Sequence, residues 1–482
     1  MRKLTNVLKS PRLLTAAIVL FALQGIFFSF AIPYKSPSDE EFHFRLTQYY
    51  AQRSVLAGPV ITEQTDNFDL GDIQRPPGYL YHYLSSFLLK VIQPFIRGVD
   101  GQVIALRLVN VGLGVLTIIL AVRLLRRLGA RGVTINLVVA WLAITTMFVW
   151  LFAALNYDNL AIVLFFVMLH TLLSLYQKVH ITPLLLSLII SFALMLTKET
   201  FLPVIFICYV LVLIGLIRKS SLNSLWKSLC KSVTASWKDA SQKKILLLLT
   251  VFVVLAAGMF FERYGQNYLR YQKTTPACSQ VHSEDECMQN SIYRRNKGQR
   301  QEYVVYRQNG GKPSMNIGQF TVKWWRLIYE RTYFFRGMAT TNPTWQARIV
   351  AEVTAPVLLV IAGIGMRKRR YSPPEKALAI VTVSYVILVF LYNLNTYLYY
   401  GYPFAIQGRY LLPVLPLFYY FVVSAMLTTY QKSSLSYRRA ILSVLTVLVI
   451  ANLLFHLPLM IYRQKGDLLR RPEAGITQSS IG

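Results

Sequence analysis

The chain has 482 residues and a net charge of +30, 54% of its residues are hydrophobic, and its mean hydropathy is +0.42. This composition, with repeated apolar stretches of about 20 residues, argues against a soluble protein and indicates a polytopic membrane protein. The basic residues lie in clusters between the apolar stretches and not in one basic domain. That pattern argues against nucleic acid as a partner and favours membrane lipids with anionic headgroups.

Stretches long enough to cross a bilayer predict about eleven membrane-spanning helices. The N-terminus reads Met-Arg-Lys and continues into an apolar segment without a small-residue cleavage site, which predicts a retained first helix and not a removed signal peptide. We therefore expect an all-α polytopic membrane protein. The predicted spans are residues 12–33, 102–122, 133–152, 157–175, 181–197, 200–217, 245–262, 346–366, 377–393, 407–429 and 440–460.

Short basic loops between these spans predict the orientation. If the spans alternate, all of the basic loops lie on one face, and their excess of Lys and Arg identifies that face as cytoplasmic. The N-terminus is then cytoplasmic, whereas the basic C-terminal tail falls on the outer face against the trend, so its side stays open. The basic clusters lie within residues 2–12, 123–131, 218–244, 367–370 and 432–439.

The first outer segment, residues 34–101, is too long to be a connector. Its amphipathic stretches at 40–57 and 77–96 predict helices that lie in the membrane interface. Between them, residues 62–77 are polar, acidic and proline-ended, which predicts a loop.

A second outer segment, residues 263–345, is polar early and becomes aromatic and basic around Trp324, which predicts another interfacial helix. Cys278 and Cys287 lie in this segment, where a disulfide or two free thiols is favoured over a metal site shared with His282. The chain is thus predicted to comprise an N-terminal membrane module (1–262, including the outer loop 34–101), an extracytoplasmic segment (263–345) and a C-terminal membrane module (346–482).

A short acidic cluster, Ser38-Asp39-Glu40-Glu41-Phe42-His43, follows the first predicted span and falls on the outer face. Four further polar segments also fall at the outer ends of spans. Ionisable residues at membrane depth are costly unless they are paired or functional, so their shared side predicts a polar cavity open to the outside. These segments are 74–79, 156–159, Lys198-Glu199 and 407–410.

The order of these motifs resembles the GT-C superfamily of membrane glycosyltransferases. More narrowly, it is similar to bacterial relatives of protein O-mannosyltransferases and aminoarabinose transferases. The resemblance runs from residue 37 to about residue 413 and is carried by Pro-Xaa-Asp-Glu-Xaa-Xaa-His (37–43), Gln-Arg-Pro-Pro with tyrosines (74–81), Arg-Leu-Val-Asn (107–110), Asn-Xaa-Asp-Asn-Leu-Ala (156–161), Leu-Thr-Lys (196–198) and Gln-Gly-Arg-Tyr-Leu-Leu-Pro (407–413).

The resemblance implies that a sugar passes from a polyprenyl-phosphate donor to a glycan, lipid or protein acceptor at the outer face. Such a transfer needs a base for the acceptor hydroxyl and positive charge for the leaving phosphate. By position, Asp39 is the expected general base and Glu40 the second choice. The expected substrate-binding residues are Lys198, Arg409 and Arg75 for the phosphate, Asp158 for the sugar or acceptor, and His43 and Tyr410 beside them.

Several of these residues have a structural alternative. Asp39 and Glu40 can serve as N-terminal residues of a helix, and Asp158 can simply mark the boundary between two spans. Lys198 can pair with its neighbour Glu199, and Arg409 can be an interface anchor. His43, four residues after Asp39 on the same helical face, can be a surface histidine, and whether Asp158 and Asp39 support a divalent metal ion stays open.

The leading hypothesis is therefore a multi-pass glycosyltransferase, inverting, in a bacterial inner membrane with its N-terminus in the cytoplasm. The alternatives are a transporter or flippase of lipid-linked glycans and a polymerase or ligase of such glycans. A transporter is expected to place charges mid-span and to show repeated halves, whereas this chain places its acids in an outer loop. The sugar, the acceptor, the lipid length and the oligomeric state are not specified by the sequence.

Overall fold

The computed structural model describes residues 9–34, 39–55, 58–59, 78–333, 360, 363–367 and 369–432. Within these ranges the fold is helical apart from one antiparallel pair of two-residue strands. The strands are β1 (Ser54–Val55) and β2 (Gly58–Pro59). The N-terminal helices are α1 (Pro11–Ala31), α2 (Glu40–Arg53), α3 (Leu80–Ile92), α4 (Val99–Arg127), α5 (Gly132–Ile144), α6 (Thr146–Phe152), α7 (Asp158–Gln177), α8 (Ile181–Thr197) and α9 (Leu202–Ile217).

The remaining helices in the described residues follow α9 in the chain. A 3₁₀ turn at Glu199–Phe201 precedes α9, and another at Gly408–Leu411 precedes α18 (Leu415–Lys432). A π turn at Phe261–Gly265 joins α11 to α12. The helices are α10 (Leu222–Lys238), α11 (Ala240–Phe260), α12 (Gln266–Tyr271), α13 (Cys278–Val281), α14 (Glu284–Gln289), α15 (Ser291–Gln308), α16 (Ile317–Tyr333), α17 (Pro373–Tyr400) and α18 (Leu415–Lys432).

Local sequence signals explain where several helices begin. Ser10 accepts a hydrogen bond from the backbone of Arg12, and Pro11, which needs no hydrogen-bond acceptor, opens α1. The Asp239 carboxylate accepts from two backbone N–H groups at the start of α11. At α17, Ser372 and Glu375 form a reciprocal capping box in front of two prolines.

Six helical segments in the described residues are long and apolar enough to cross a bilayer. They are Pro11–Ala31, Val99–Arg127, Asp158–Gln177, Glu199–Ile217, Ala240–Tyr271 and Pro373–Tyr400. The broken pair α5–α6 makes a seventh if it is counted as one span, and α8 is a shorter apolar helix of 17 residues. These helices confirm a polytopic helical membrane protein.

The predicted number of eleven spans is not confirmed. The span predicted at 133–152 is bent by 70° at Thr145, where the backbone is extended. No glycine or proline at this point indicates the bend in the sequence. The prediction at 407–429 overlooked the 3₁₀ turn, so its helix starts only at Leu415. Most of 346–366 and all of 440–460 lie outside the described residues.

The core lies where α1, α4, the α5–α6 pair, α7 and α18 pack together. At one end of this core, Asn136 donates to the Ser10 carbonyl and Arg131 bonds Gln431. Lys219 reaches the Tyr176 carbonyl at the same end. These contacts bring together residues beside several of the basic loops, and the membrane side of those loops stays a prediction.

The two helices predicted in the first outer segment are present as α2 and α3, and they pack against each other. In the second segment, α16 packs against α17. Trp324 is buried there, and its indole N–H donates to Asn393 at 2.9 Å. Trp324 therefore packs inside the protein, and the interfacial position of α16 stays a prediction.

Cys278 and Cys287 form a disulfide with a Cα to Cα distance of 5.8 Å. The bond joins α13 to α14 and is packed against Tyr293. Of the alternatives left open for these residues, the disulfide is the one observed.

Candidate functional site

A buried ion pair ties the start of α2 to α4. Arg107 binds both carboxylate oxygens of Glu40, at 2.8 Å from Nε and 2.5 Å from Nη2, and both side chains are 1% exposed or less. The same guanidinium donates to the carbonyls of Ser29 and Ile32 at the end of α1. The Leu155 N–H also donates to Glu40. We call Glu40 and Arg107 the closed pair.

The closed pair positions two loops at once. The carbonyls that end a helix have no intrahelical donor, and Arg107 supplies donors for those of α1. Glu40 fixes the residue before it, Asp39, and through Leu155 it holds the loop that leads to Asp158. With both of its oxygens bonded in a buried place, Glu40 is less suited than Asp39 to accept a proton from a substrate.

Asp39 lies immediately before α2 with a positive φ of 64°. Its side chain is 46% exposed, and its Oδ2 accepts a hydrogen bond of 2.8 Å from Nη2 of Arg409. Asp and Asn are the residues that best tolerate this left-handed conformation, which is uncommon elsewhere and concentrates at functional sites. It also differs from the extended backbone of an ordinary N-cap residue.

Arg409 reaches Asp39 from the 3₁₀ turn that precedes α18. The turn packs tightly against α16, because a Cβ on Gly408 would lie 2.5 Å from the Arg331 carbonyl carbon and from the Thr332 nitrogen. Arg409 Nε is buried, lies 4.0 Å from Asp158 Oδ2, and has no hydrogen-bond partner among the described residues. Burial lowers the pKa of Arg409, but the carboxylates of Asp158 and Asp39 raise it more, so the guanidinium stays charged.

A second ion pair adjoins the first. Lys198, just after α8, bonds Asp158 at 2.6 Å, and the two side chains are 9% and 4% exposed. The Asp158 backbone N–H donates to the Asn156 side chain, which leaves the Asp158 carboxylate to face Lys198. The four charges of this site, with two acids balancing two bases, form what we call the open cluster: Asp39, Arg409, Asp158 and Lys198.

Aromatic rings surround the open cluster. Lys198 Nζ lies 5.4 Å from the ring centres of both Tyr157 and Tyr410. Tyr410 follows Arg409 in the 3₁₀ turn, and burial raises the pKa of its hydroxyl. Neutral, amphipathic side chains therefore pack around the cluster and limit its contact with water.

His43 is a buried residue, not a surface histidine. Its Nδ1 lies 2.8 Å from Nε2 of His82, and the two rings are nearly parallel, at 19°, with centres 5.1 Å apart. Both residues are 1% exposed. Burial, with the nearby charges of Arg409 and Lys198, lowers the pKa of His43 from 6.5 to about 3, and burial lowers that of His82 as well. Both imidazoles are therefore neutral at physiological pH.

The structure brings together Asp39, His43, Asp158, Lys198, Arg409 and Tyr410, and it holds Glu40 behind them in the closed pair. Lys198 pairs with Asp158 and not with its sequence neighbour, so the neutral-pair alternative does not hold. Arg75 lies outside the described residues. Gly78, from the same predicted segment, is described, and a Cβ there would lie 2.9 Å from the Thr197 carbonyl oxygen, next to Lys198.

The donor set of the open cluster does not suit a divalent metal ion. Asp39 and Asp158 are both near Arg409, so a guanidinium occupies the place between the two carboxylates where a metal would be shared. No group of three or more His, Cys, Asp or Glu side chains with metal-binding geometry occurs in the described part of the chain. The cluster instead offers two cations next to a partly exposed carboxylate.

Sequence reasoning assigned no role to two residues of this region, although Arg107 stood in the motif 107–110. Arg107 stands inside a predicted span, and an arginine there must find a partner, so its depth was a usable signal for the closed pair. His82 is one of several polar residues in α3 and carries no such signal; only its contact with His43 identifies it.

No protein-family model matches the chain, and a comparison with curated proteins finds no match. What the site can do chemically therefore follows from its own geometry. It presents a carboxylate that is open to a ligand, two cations in reach of one another, and neutral hydrogen-bonding rings around them.

Proposed function

We propose that the protein is an integral-membrane glycosyltransferase that moves a sugar from a polyprenyl-phosphate donor to a cell-envelope glycan, lipid or protein. The open cluster carries this proposal, because its carboxylate and two cations are the groups that such a transfer needs. The residue order of the GT-C superfamily supports the same assignment. The proposal places the reaction at the outer face of a bacterial inner membrane, with the N-terminus in the cytoplasm.

In the proposed reaction, Asp39 takes the proton from an acceptor hydroxyl. The oxygen attacks the anomeric carbon, a new carbon–oxygen bond forms with inversion, and the bond between that carbon and the phosphate oxygen breaks. The polyprenyl phosphate leaves with the electron pair. General-base catalysis of this kind contributes about 10²- to 10⁴-fold to a rate.

Arg409 and Lys198 are proposed to bind the donor phosphate. Arg409 Nε has hydrogen-bonding capacity left, and the planar guanidinium can bind two phosphate oxygens. Lys198 adds a point charge on the other side of Asp158. Because the open cluster is neutral as a whole, a bound phosphate shares both cations with the two carboxylates, which limits affinity for the product lipid and favours its release.

Two observations support the proposed sidedness. The open cluster lies at the ends of helices, and the contacts between the basic loops gather at another end of the fold. The disulfide between Cys278 and Cys287 is typical of an oxidising compartment outside the cytoplasm.

The position of the charges also favours a transferase over a flippase. A flippase is expected to carry its ligand-binding charges near the middle of the membrane, between moving halves. The acid–base pairs of the open cluster lie where spans end, at Lys198 after α8 and Asp158 at the start of α7.

The test is mass spectrometry of polyprenyl-phosphate sugars in cells that lack the protein. The deletion is complemented with wild type, with Asp39→Asn, or with Asp285→Asn as a control that removes an exposed acid of the extracytoplasmic segment. Asn tolerates the positive φ at position 39, so loss of activity there reports loss of the base and not of the fold.

We expect one lipid-linked sugar to accumulate in the deletion strain and to be cleared by wild type and Asp285→Asn. Asp39→Asn at matched membrane levels clears it at least about 100-fold more slowly. If Asp39→Asn restores the wild-type profile, Asp39 is not the base. If no lipid-linked sugar accumulates, the transferase proposal itself fails.

A further inference from the structure

The hydrogen-bonded pair of His43 and His82 has a feature that the open cluster does not explain. Two neutral imidazoles joined by one N–H···N bond have two further ring nitrogens, one a donor and the other an acceptor. These are His43 Nε2 and His82 Nδ1, and both are buried without a hydrogen-bond partner in the described part of the chain. Buried polar atoms are normally bonded, so each such atom calls for an explanation.

His43 faces the site. It lies one helical turn after Asp39, and its backbone N–H donates to the Asp39 carbonyl at 2.9 Å. The His43 ring meets the Tyr157 ring edge-on with centres 5.1 Å apart, and Lys198 Nζ lies over that same tyrosine. His43 is thus one ring away from the cations assigned to the phosphate.

The chemistry of the pair suits a neutral hydroxyl better than an anion. A phosphate needs positive charge, which Arg409 and Lys198 provide, whereas a neutral imidazole nitrogen can donate to or accept from an alcohol. His82 holds the His43 ring through Nδ1, which leaves Nε2 as the unbonded nitrogen of this ring. The bond to His82 and the edge-on contact with Tyr157 fix the orientation of the His43 ring.

We propose that His43 Nε2 forms a hydrogen bond with a hydroxyl group of the transferred sugar, and that His82 acts as the positioning residue for this nitrogen. The inference rests on the proposed function and adds to it an atom that recognises the sugar. It also predicts that the sugar, and not only the lipid phosphate, contributes to donor affinity.

Two isosteres separate this role from a structural one. Asn places its amide near the position of Nδ1, so His43→Asn retains the bond to His82 and loses Nε2. Gln places its amide near Nε2, so His43→Gln retains the group that faces the sugar and loses the bond to His82. A ligand-binding role and a packing role therefore predict opposite orders for the two variants.

The measurement is binding to the full-length protein in nanodiscs. The probes are bare polyprenyl phosphate and the same lipid carrying glucose, mannose, galactose or N-acetylglucosamine. We expect wild type to bind at least one sugar-bearing lipid about tenfold more tightly than the bare lipid. His43→Gln retains part of this gain, because its amide still reaches the sugar but is no longer held by His82, and His43→Asn loses it, while neither changes the affinity for the bare lipid. Thermal unfolding of each variant checks that it is folded.

The outcomes distinguish failure of the inference from failure of the proposed function. If wild type binds neither type of lipid, the proposed function fails and this inference fails with it. If wild type binds the bare lipid and no sugar adds affinity, the proposed phosphate site stands and the inference is overturned. If His43→Asn retains the gain and His43→Gln loses it, the pair has only a structural role and the inference is again overturned.

Discussion

The closed pair and the open cluster use the same kinds of side chain for different purposes. Glu40 and Arg107 are fully buried, and the guanidinium uses its donors on both carboxylate oxygens and on the end of α1. In the open cluster, Asp39 is 46% exposed and Arg409 Nε has no hydrogen-bond partner among the described residues. A saturated pair can only hold the fold, whereas an unsaturated cluster has groups left for a ligand.

This difference also explains why two adjacent acids, Asp39 and Glu40, receive different roles. Glu40 is the first residue of α2 and its side chain points into the protein, whereas Asp39 precedes the helix in a left-handed conformation and its side chain meets Arg409 in the site. Glu40, held by Arg107, fixes the position of the backbone from which the Asp39 side chain extends. Replacing members of the two groups should therefore separate stability from activity.

The largest expected effect is on the closed pair. Arg107→Met leaves the Glu40 carboxylate buried without its cation, and removing one partner of a buried pair costs about 3–5 kcal/mol. We expect a large fall in the thermal unfolding temperature and low membrane levels. The double variant Glu40→Met/Arg107→Met should recover only part of the loss, because the carbonyls at the end of α1 still lack their donor. Wild-type stability in Arg107→Met would show that the pair is not structural.

The second effect is on the open cluster and on activity. Arg409→Gln removes the forked cation, and loss of one such electrostatic contact lowers a rate by about 10²- to 10³-fold. Stability should change by about 1 kcal/mol or less, since the bonded Asp39 is partly exposed. Arg409→Lys retains the positive charge but not the planar guanidinium, so its rate should lie between those of wild type and Arg409→Gln. Clearance of the accumulated lipid at matched protein levels measures the effect; full activity in Arg409→Gln would remove Arg409 from the site.

A third test changes the position of Arg409 without changing its chemistry. The added methyl group of Gly408→Ala meets the backbone of α16, so the 3₁₀ turn must shift, at about 1–3 kcal/mol. We expect Gly408→Ala to fold but to clear the accumulated lipid more slowly than wild type. Gly298→Ala is the matched control, because a Cβ there has no heavy atom within 4 Å in the helix α15. Equal activities for the two variants would contradict a requirement for this close packing.

The smallest expected effect concerns pH and the histidine pair. The pKa of His43 is about 3 in the folded protein and about 6.5 when unfolded. Between about pH 6.5 and pH 3 only the unfolded chain binds this proton. The contribution of His43 to the free energy of unfolding is therefore fully present above pH 6.5 and decreases as the pH falls below it. Between pH 8 and pH 5.5 the loss is about 1.4 kcal/mol. His43→Gln should remove this part of the pH dependence of unfolding; parallel curves for wild type and variant would contradict the buried neutral state.

Particular residues show how far the sequence alone could lead. Hydropathy located the long spans, and the alternation of basic loops predicted that Asp39, Asp158, Lys198 and Arg409 share one side, where the structure brings them together. The bend at Thr145 was missed because nothing in the local sequence marks it. The resemblance favoured Asp39 over Glu40 by position, but only the path of Arg107 shows that Glu40 is held in a buried pair.

Composition and hydrophobic patterning by themselves determined a helical membrane protein and the common side of its polar motifs, because both follow from the cost of placing polar groups in lipid. Tertiary structure alone decided which charges pair, since partners such as Arg409 and Asp39 are 370 residues apart and meet only when the helices pack. It likewise decided that His43 bonds His82. Pairing depends on distances of a few ångströms, and a linear pattern does not contain those distances.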